Sequence, residues 1–222
     1  MSKEAYENGA SLIVFPELCV TGYTCGDLFL QPLLIEQAER AVESIIEQTK
    51  DYDLLFAIGA PVAVDDALYN CAVVIYKGAI LGIVPKTNIP NYNELGELRY
   101  FTSGLGVDIE INYASQRVKL SPDLVFCCDK LPQLKIGVEI CEDLMAPCSP
   151  SQYLALDGKA TVILNLAASN EYAGKSDYRR DLVKVTSGKL CCAYLFCSAG
   201  PSESTTDAVF SAHNIIAENS EI

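Results

Sequence analysis

Three side chains that can move a proton or attack a carbonyl stand where short apolar runs end. Glu17 follows Ile13-Val14-Phe15-Pro16, Lys86 follows Gly82-Ile83-Val84-Pro85, and Cys141 follows Ile136-Gly137-Val138-Glu139-Ile140. A carboxylate, an ammonium and a thiol suffice to cleave an amide. A thiol with an ordinary pKa of about 8.5 is only a few per cent thiolate at neutral pH, so it needs a base. Glu17 can take the thiol proton as sulfur attacks the carbonyl carbon, return it to the departing amine, and then activate water against the thioester. Lys86, with the backbone N–H of the residue after the nucleophile, can hold the developing oxyanion. Spacing alone leaves a plainer reading open: a Glu or Lys at a strand end is ordinarily a solvated charge, and a Cys after an apolar run is ordinarily core.

Composition narrows the chemistry from the other side. Of 222 residues only one is histidine, His213, so multi-histidine metal sites are excluded, Ser-His-Asp or Cys-His catalysis would rest on that residue alone, and a carboxylate or a lysine is the expected general base. Ten cysteines include no Cys-x-x-Cys pair, and several sit in apolar runs such as Cys191-Cys192-Ala193-Tyr194-Leu195-Phe196-Cys197. They read as reduced, buried hydrophobes rather than disulfide partners or metal ligands. Asp plus Glu number 29 against 16 Lys plus Arg, a net charge of −13 with no basic stripe, which argues against nucleic acid and anionic membrane surfaces as partners. No apolar run is long enough to span a bilayer, and Met1-Ser2-Lys3-Glu4-Ala5-Tyr6 carries no apolar signal core. A cytoplasmic location is the expectation.

The elements that must position the three residues alternate between strands and amphipathic stretches. Strands are predicted at 10–15, 54–59, 69–76, 79–84, 135–140, 161–166, 191–197 and 208–216, with shorter ones at 107–111 and 123–127. Lys77-Gly78 is a hairpin turn. Helices are predicted at 32–50, where Leu34, Ala38, Val42, Ile45 and Ile46 share one face, near 150–156, and at 176–190. This pattern predicts an α/β unit with helices covering sheet faces. Gly174-Lys175-Ser176 lacks the glycine that a phosphate loop needs five positions earlier, and Gly104-Leu105-Gly106 lacks the third glycine of a dinucleotide fingerprint, so neither supports nucleotide binding.

The local sequences then add a resemblance. Val14-Phe15-Pro16-Glu17-Leu18 with Thr21-Gly22-Tyr23, Pro85-Lys86, and Glu139-Ile140-Cys141-Glu142-Asp143-Leu144 resemble, in order, the three catalytic blocks of the nitrilase (carbon–nitrogen hydrolase) superfamily. More narrowly, Leu18 to Phe29, Pro85 to Glu94 and Leu164 to Arg180 resemble the glutaminase domain of the glutamine-dependent NAD+ synthetases. The resemblance covers nearly the whole chain, 1–222, and implies a four-layer αββα sandwich with Glu17 as base, Lys86 as stabiliser and Cys141 as nucleophile. It further implies a second glutamate at Glu97, a glutamine site at Tyr92, Ser169 and Lys175, and Tyr23 beside Glu17 shaping the pocket. L-glutamine is the implied substrate, and the ammonia released would serve an ATP-dependent ligase, a synthetase domain that amidates nicotinic acid adenine dinucleotide.

Departures from the family set further expectations. The chain opens in what looks like the helix after the family's first strand, and it stops where the family runs on, so a partial domain with an unpaired edge and a tendency to self-associate is expected. No Ser-Gly-Gly-x-Asp-Ser pyrophosphate motif is present, so ATP and magnesium are expected only on a synthetase domain outside this chain, and no cofactor or metal within it. Leu95-Gly96 stands where the family usually has two aromatics. Two other readings compete: a stand-alone amidase acting on a different amide, and a catalytically silent fragment serving assembly.

Overall fold

The computed structural model describes residues 1–204 and 208–222. After a short helix α1 (Ser2–Glu7) come β1 (Leu12–Val14), a 3-10 segment Tyr23–Leu30, α2 (Pro32–Thr49), β2 (Leu55–Val64), β3 (Ala67–Tyr76) and β4 (Ala79–Pro85). A small ribbon of β5 (Asn91–Tyr92) and β6 (Leu95–Gly96) precedes a 3-10 turn Glu97–Arg99 and the pair β7 (Ile109–Tyr113) and β8 (Gln116–Leu120). The second half holds β9 (Val125–Cys128), β10 (Leu131–Ile140), a 3-10 turn Cys141–Leu144, α3 (Pro150–Leu156), β11 (Val162–Ala167), α4 (Lys175–Leu190), β12 (Ala193–Ser198) and β13 (Ile215–Glu218).

Besides the β5–β6 ribbon, the described residues form two large sheets, ordered β1-β2-β3-β4-β8-β7 and β13-β12-β11-β10-β9. Strand alternation sends Ala57, Ala72, Val74 and Val84 of the first sheet against Ile136, Val138, Ile140, Leu164 and Leu166 of the second, forming the central core. The opposite face of the first sheet, with Phe56, Ile58, Val73 and Ile75, packs under Val42 and Ile46 of α2. The opposite face of the second, with Ile163, Tyr194 and Phe196, packs under Leu154 of α3 and Val183 of α4. The layers are therefore helix, sheet, sheet, helix, as the αββα expectation required. Strands covered on both faces need near-continuous apolar runs, which is why β2, β3 and β11 read as they do.

The β3–β4 hairpin turns at Lys77 and Gly78, both with positive φ, as the sequence predicts. Elsewhere the elements differ from prediction. Strand β2 does not stop at Gly59 but runs to Val64 and pairs with β3 along its whole length, turning at Asp65 with φ 50°. Pro61 and a turn without glycine hid that extension; Pro61 lies beyond the Leu12–Val14 register, which reaches only Ala57. Strand β8 was not foreseen because its turn uses Ala114 and Ser115, both at positive φ, and its outward side chains are Arg117 and Lys119. The predicted strand at 208–216 reduces to β13; its earlier part runs irregularly past α4, with Phe210 bridging Asn170. Strand β1 forms an edge of the first sheet, paired in parallel to β2. No helix among the described residues is long and apolar enough to cross a membrane.

Candidate active site

Lys86 follows the last residue of β4, and its N–H is held by the carbonyl of Asn70 on β3 at 2.8 Å. Its side chain is fully buried and points between two carboxylates. Nζ donates to Glu17 Oε1 at 2.7 Å and to Glu97 Oε1 and Oε2 at 2.7 and 2.9 Å.

Glu17 reaches this point because the turn Pro16-Glu17-Leu18 lies directly on β2. A Cβ at Gly59 would come within 2.2 Å of the Leu18 nitrogen and 2.7 Å of the Glu17 carbonyl carbon, so only glycine permits the approach. The Glu17 carboxylate also accepts from Asn70 Nδ2 at 2.7 Å and from the Ala168 N–H at 2.9 Å, at the end of β11. Glu97 begins the turn after the β5–β6 ribbon and accepts the Tyr23 hydroxyl at 2.8 Å.

Cys141 leaves β10 in a left-handed backbone conformation, φ 45°, which costs a residue with a Cβ about 1–2 kcal/mol. Its N–H donates to Asn165 Oδ1 at 3.1 Å. Asp143, two residues on, accepts from the N–H groups of Ile140, Thr87 and Asn88 at 3.0, 3.2 and 2.7 Å, tying the turn after Lys86 to the strand end before Cys141.

The electrostatics follow from burial with partners. Burial pushes Glu17 up to about 7; Lys86 opposes this and Glu97 reinforces it. Burial works against the Lys86 ammonium, but Glu17 and Glu97 overcome it and hold the amine well above its ordinary value. Burial also raises the Cys141 thiol well above its usual range, with Glu17 adding and Lys86 opposing. The resting sulfur is therefore a neutral thiol. A neutral thiol, a carboxylate poised near neutrality and a fixed ammonium can perform acyl transfer in which deprotonation accompanies attack.

Cys141 and Glu97 open onto a cavity of about 260 Å³ whose other walls include Tyr92, Glu142, Ser169 and Lys175. Tyr92 is half exposed, and its hydroxyl donates to Glu142 Oε1 at 2.7 Å. Ser169 is buried at the end of β11, where its N–H donates to Ser198 Oγ at 3.1 Å. Lys175 opens α4, donates to Asn170 Oδ1, and lies 4.9 Å from the centre of the Tyr172 ring; burial lowers its pKa. Tyr23 lines the same cavity but is bonded to Glu97 rather than to Glu17. All eight residues singled out from sequence thus lie in or beside one site. Sequence reasoning passed over Asn70, Asp143 and Asn165. Their signal was a polar residue inside or just beyond a continuous apolar run, where both faces of the strand are covered. Among the described residues no group of three or more His, Cys, Asp or Glu could hold a metal ion.

Comparison with known proteins identifies the family and the fold. The model of the family described as carbon–nitrogen hydrolase matches residues 1–186. A glutamine-dependent NAD(+) synthetase of Mycobacterium bovis is 38% identical over 219 residues, covering 99% of this chain and 32% of that protein. The crystal structure of a glutamine-dependent NAD(+) synthetase from Cytophaga hutchinsonii superposes with a TM-score of 0.87 at 26% identity, over 99% of this chain and 35% of that one. An amidase from Nesterenkonia sp. shares the fold, with a TM-score of 0.75 at 15% identity, over 100% of this chain and 74% of its own. The chain spans about a third of the length of the curated synthetases it matches. It belongs to the carbon–nitrogen hydrolase family.

Proposed function

We propose that this carbon–nitrogen hydrolase removes the side-chain amide of glutamine through a thioester on Cys141. The observation that carries the reading is the placement of Lys86 Nζ 2.7 Å from both Glu17 and Glu97, beside Cys141 and its cavity. Glu17 takes the Cys141 proton as sulfur bonds to the amide carbon, while Lys86 and the N–H of Glu142 hold the oxyanion. The C–N bond then breaks as Glu17 returns the proton to nitrogen, releasing ammonia. Water attacks the thioester with Glu17 as base again, the C–S bond breaks, and the thiol is restored as glutamate leaves.

The cavity suits an α-amino acid. It offers one ammonium, Lys175, for a carboxylate, and, besides the Lys86-bound Glu97, two carboxylates, Glu94 and Glu142, for an amino group. Similarity to glutamine-dependent NAD(+) synthetases favours glutamine over other amides and supports delivery of ammonia to an ATP-dependent synthetase domain that amidates nicotinic acid adenine dinucleotide. The assembled cluster of base, ammonium and thiol favours a catalytic role over a silent assembly fragment.

The test is to incubate the chain with glutamine and follow glutamate and ammonia, beside Cys141→Ser and a panel of aliphatic amides. Turnover of glutamine that vanishes with Cys141→Ser supports the reading. Faster turnover of an amide lacking the α-amino acid group would replace glutamine as substrate, and activity surviving in Cys141→Ser would sink the nucleophile.

A further inference from the structure

Behind the nucleophile, on the face of the second sheet that α3 and α4 cover, three polar side chains form a sealed chain. Glu139, Asn165 and Tyr194 are each buried to 1% exposure or less. Glu139 and Asn165 sit opposite one another in the β10–β11 register, and Tyr194 comes from the next strand, β12. The Tyr194 hydroxyl donates to Glu139 Oε1, and Asn165 Nδ2 donates to the Tyr194 oxygen at 2.9 Å. Asn165 Oδ1 then accepts the Cys141 N–H at 3.1 Å. At the far end, the Ser151 N–H donates to Glu139 Oε2 at 2.8 Å. None of the three side chains borders the catalytic cavity.

The direction of this chain is set from its acidic end. A Glu139 carboxylate that accepts at both oxygens points the Tyr194 O–H toward itself and leaves the hydroxyl oxygen to accept. That turns the NH2 of Asn165 toward Tyr194 and its oxygen toward Cys141. Reversing any link would present the Asn165 NH2 to the Cys141 N–H, donor against donor. A left-handed residue with a Cβ persists only where its surroundings fix it, and here that support reaches Cys141 through Asn165.

We propose that Asn165, oriented by Tyr194 and Glu139, is a positioning residue for the reaction. It holds the backbone N–H of Cys141 and with it the turn that aims the sulfur at the carbonyl carbon. The inference rests on Cys141 being the nucleophile. Tyr194→Phe keeps the ring in its apolar shell while freeing the amide to turn, and Asn165→Leu is a nearly isosteric second variant.

The readouts are kcat per titrated site, KM, the iodoacetamide alkylation rate of Cys141, and deuterium exchange of the Cys141 N–H. In either folded variant, kcat and alkylation should fall roughly 10- to 100-fold with KM within about twofold, because misplacing a reacting atom by about 1 Å can cost 10²-fold. The Cys141 N–H should exchange faster while the amides of β2 and β3 do not. A purely structural role would speed exchange throughout and leave kcat per titrated site unchanged; that result, or wild-type exchange at Cys141, overturns the proposal. Should both variants fail to fold, an unprotected Cys141 N–H in the unsubstituted protein overturns it, and a protected one supports it. Absence of glutamine turnover in the unsubstituted protein would count against the glutaminase reading alone, since alkylation and exchange need no substrate.

Discussion

Two of the buried carboxylates among the described residues, Glu17 between the sheets and Glu139 beneath the helices, are both pushed up to about 7 by burial. Their surroundings reach that value by different means. At Glu17 a fixed cation, Lys86, opposes burial and a second carboxylate, Glu97, adds to it. At Glu139 no cation takes part; the Tyr194 hydroxyl and the Ser151 N–H oppose burial, and Asp143 adds to it. The first cluster stands beside the cavity that Cys141 and Glu97 line, so it can trade a proton with the thiol and the substrate. The second is closed off, so its charge can only orient dipoles. A shared pKa therefore does not imply a shared role; access to a reacting group separates them.

The comparison can be broken first at Lys86. Lys86→Met leaves Glu17 and Glu97 facing one another without a cation, and amide hydrolysis should fall below detection. Removing one partner of a buried ion pair should also lower stability by about 3–5 kcal/mol in a urea titration. No equivalent substitution exists at Glu139, where only neutral donors are present. A milder pair of variants sharpens the contrast. Glu17→Gln should cost roughly 10²- to 10⁴-fold in kcat/KM as the base is lost. Glu139→Gln should cost about 1–3 kcal/mol of stability, because one of its two acceptor contacts then meets a donor. Equal kinetic losses in the two variants would erase the distinction.

The pH dependence is the next smaller effect. Both carboxylates bind protons more tightly in the native protein than when unfolded, where glutamate titrates near 4.5. Their contribution to stability is thus complete below about 4.5 and is lost as pH rises through about 7. Urea midpoints should fall between pH 5 and pH 8, and Glu139→Gln should flatten that slope. The acid limb of kcat/KM, near 7, should stay in place in Glu139→Gln, since Glu17 sets it. The smallest effect is that of salt. Added salt at roughly 0.5 M should move neither limb nor slope appreciably, because buried pairs are little screened.

The two clusters were unequally legible in the sequence. Glu17, Lys86 and Cys141 announce themselves because each ends an apolar run, where a strand gives way to a turn. Glu139, Asn165 and Asn70 lie inside such runs, and a polar residue within a strand reads as facing solvent until both faces are known to be covered. That knowledge needs the layers: α3 and α4 over Glu139 and Asn165, the second sheet over Asn70. The αββα arrangement came from the family blocks rather than from periodicity. The loops that escaped notice, at Asp65 and at Ala114-Ser115, turn on left-handed residues other than glycine. Gly59 read as the end of a strand, whereas it is the place where the strand lets the Glu17 turn lie against it.

The hydrogen bonds that hold Glu17 also bear on how the protein becomes active. Its partners stand 53, 69 and 151 residues away, in Asn70, Lys86 and Ala168. The last of these crosses from one sheet to the other. Contacts of such long range form late, because closing each loop costs entropy before the contact repays it. During refolding, helix and strand signals should therefore return ahead of turnover. Recovered activity marks the moment when the sheets have docked, which makes catalysis itself a clock for the final step of folding.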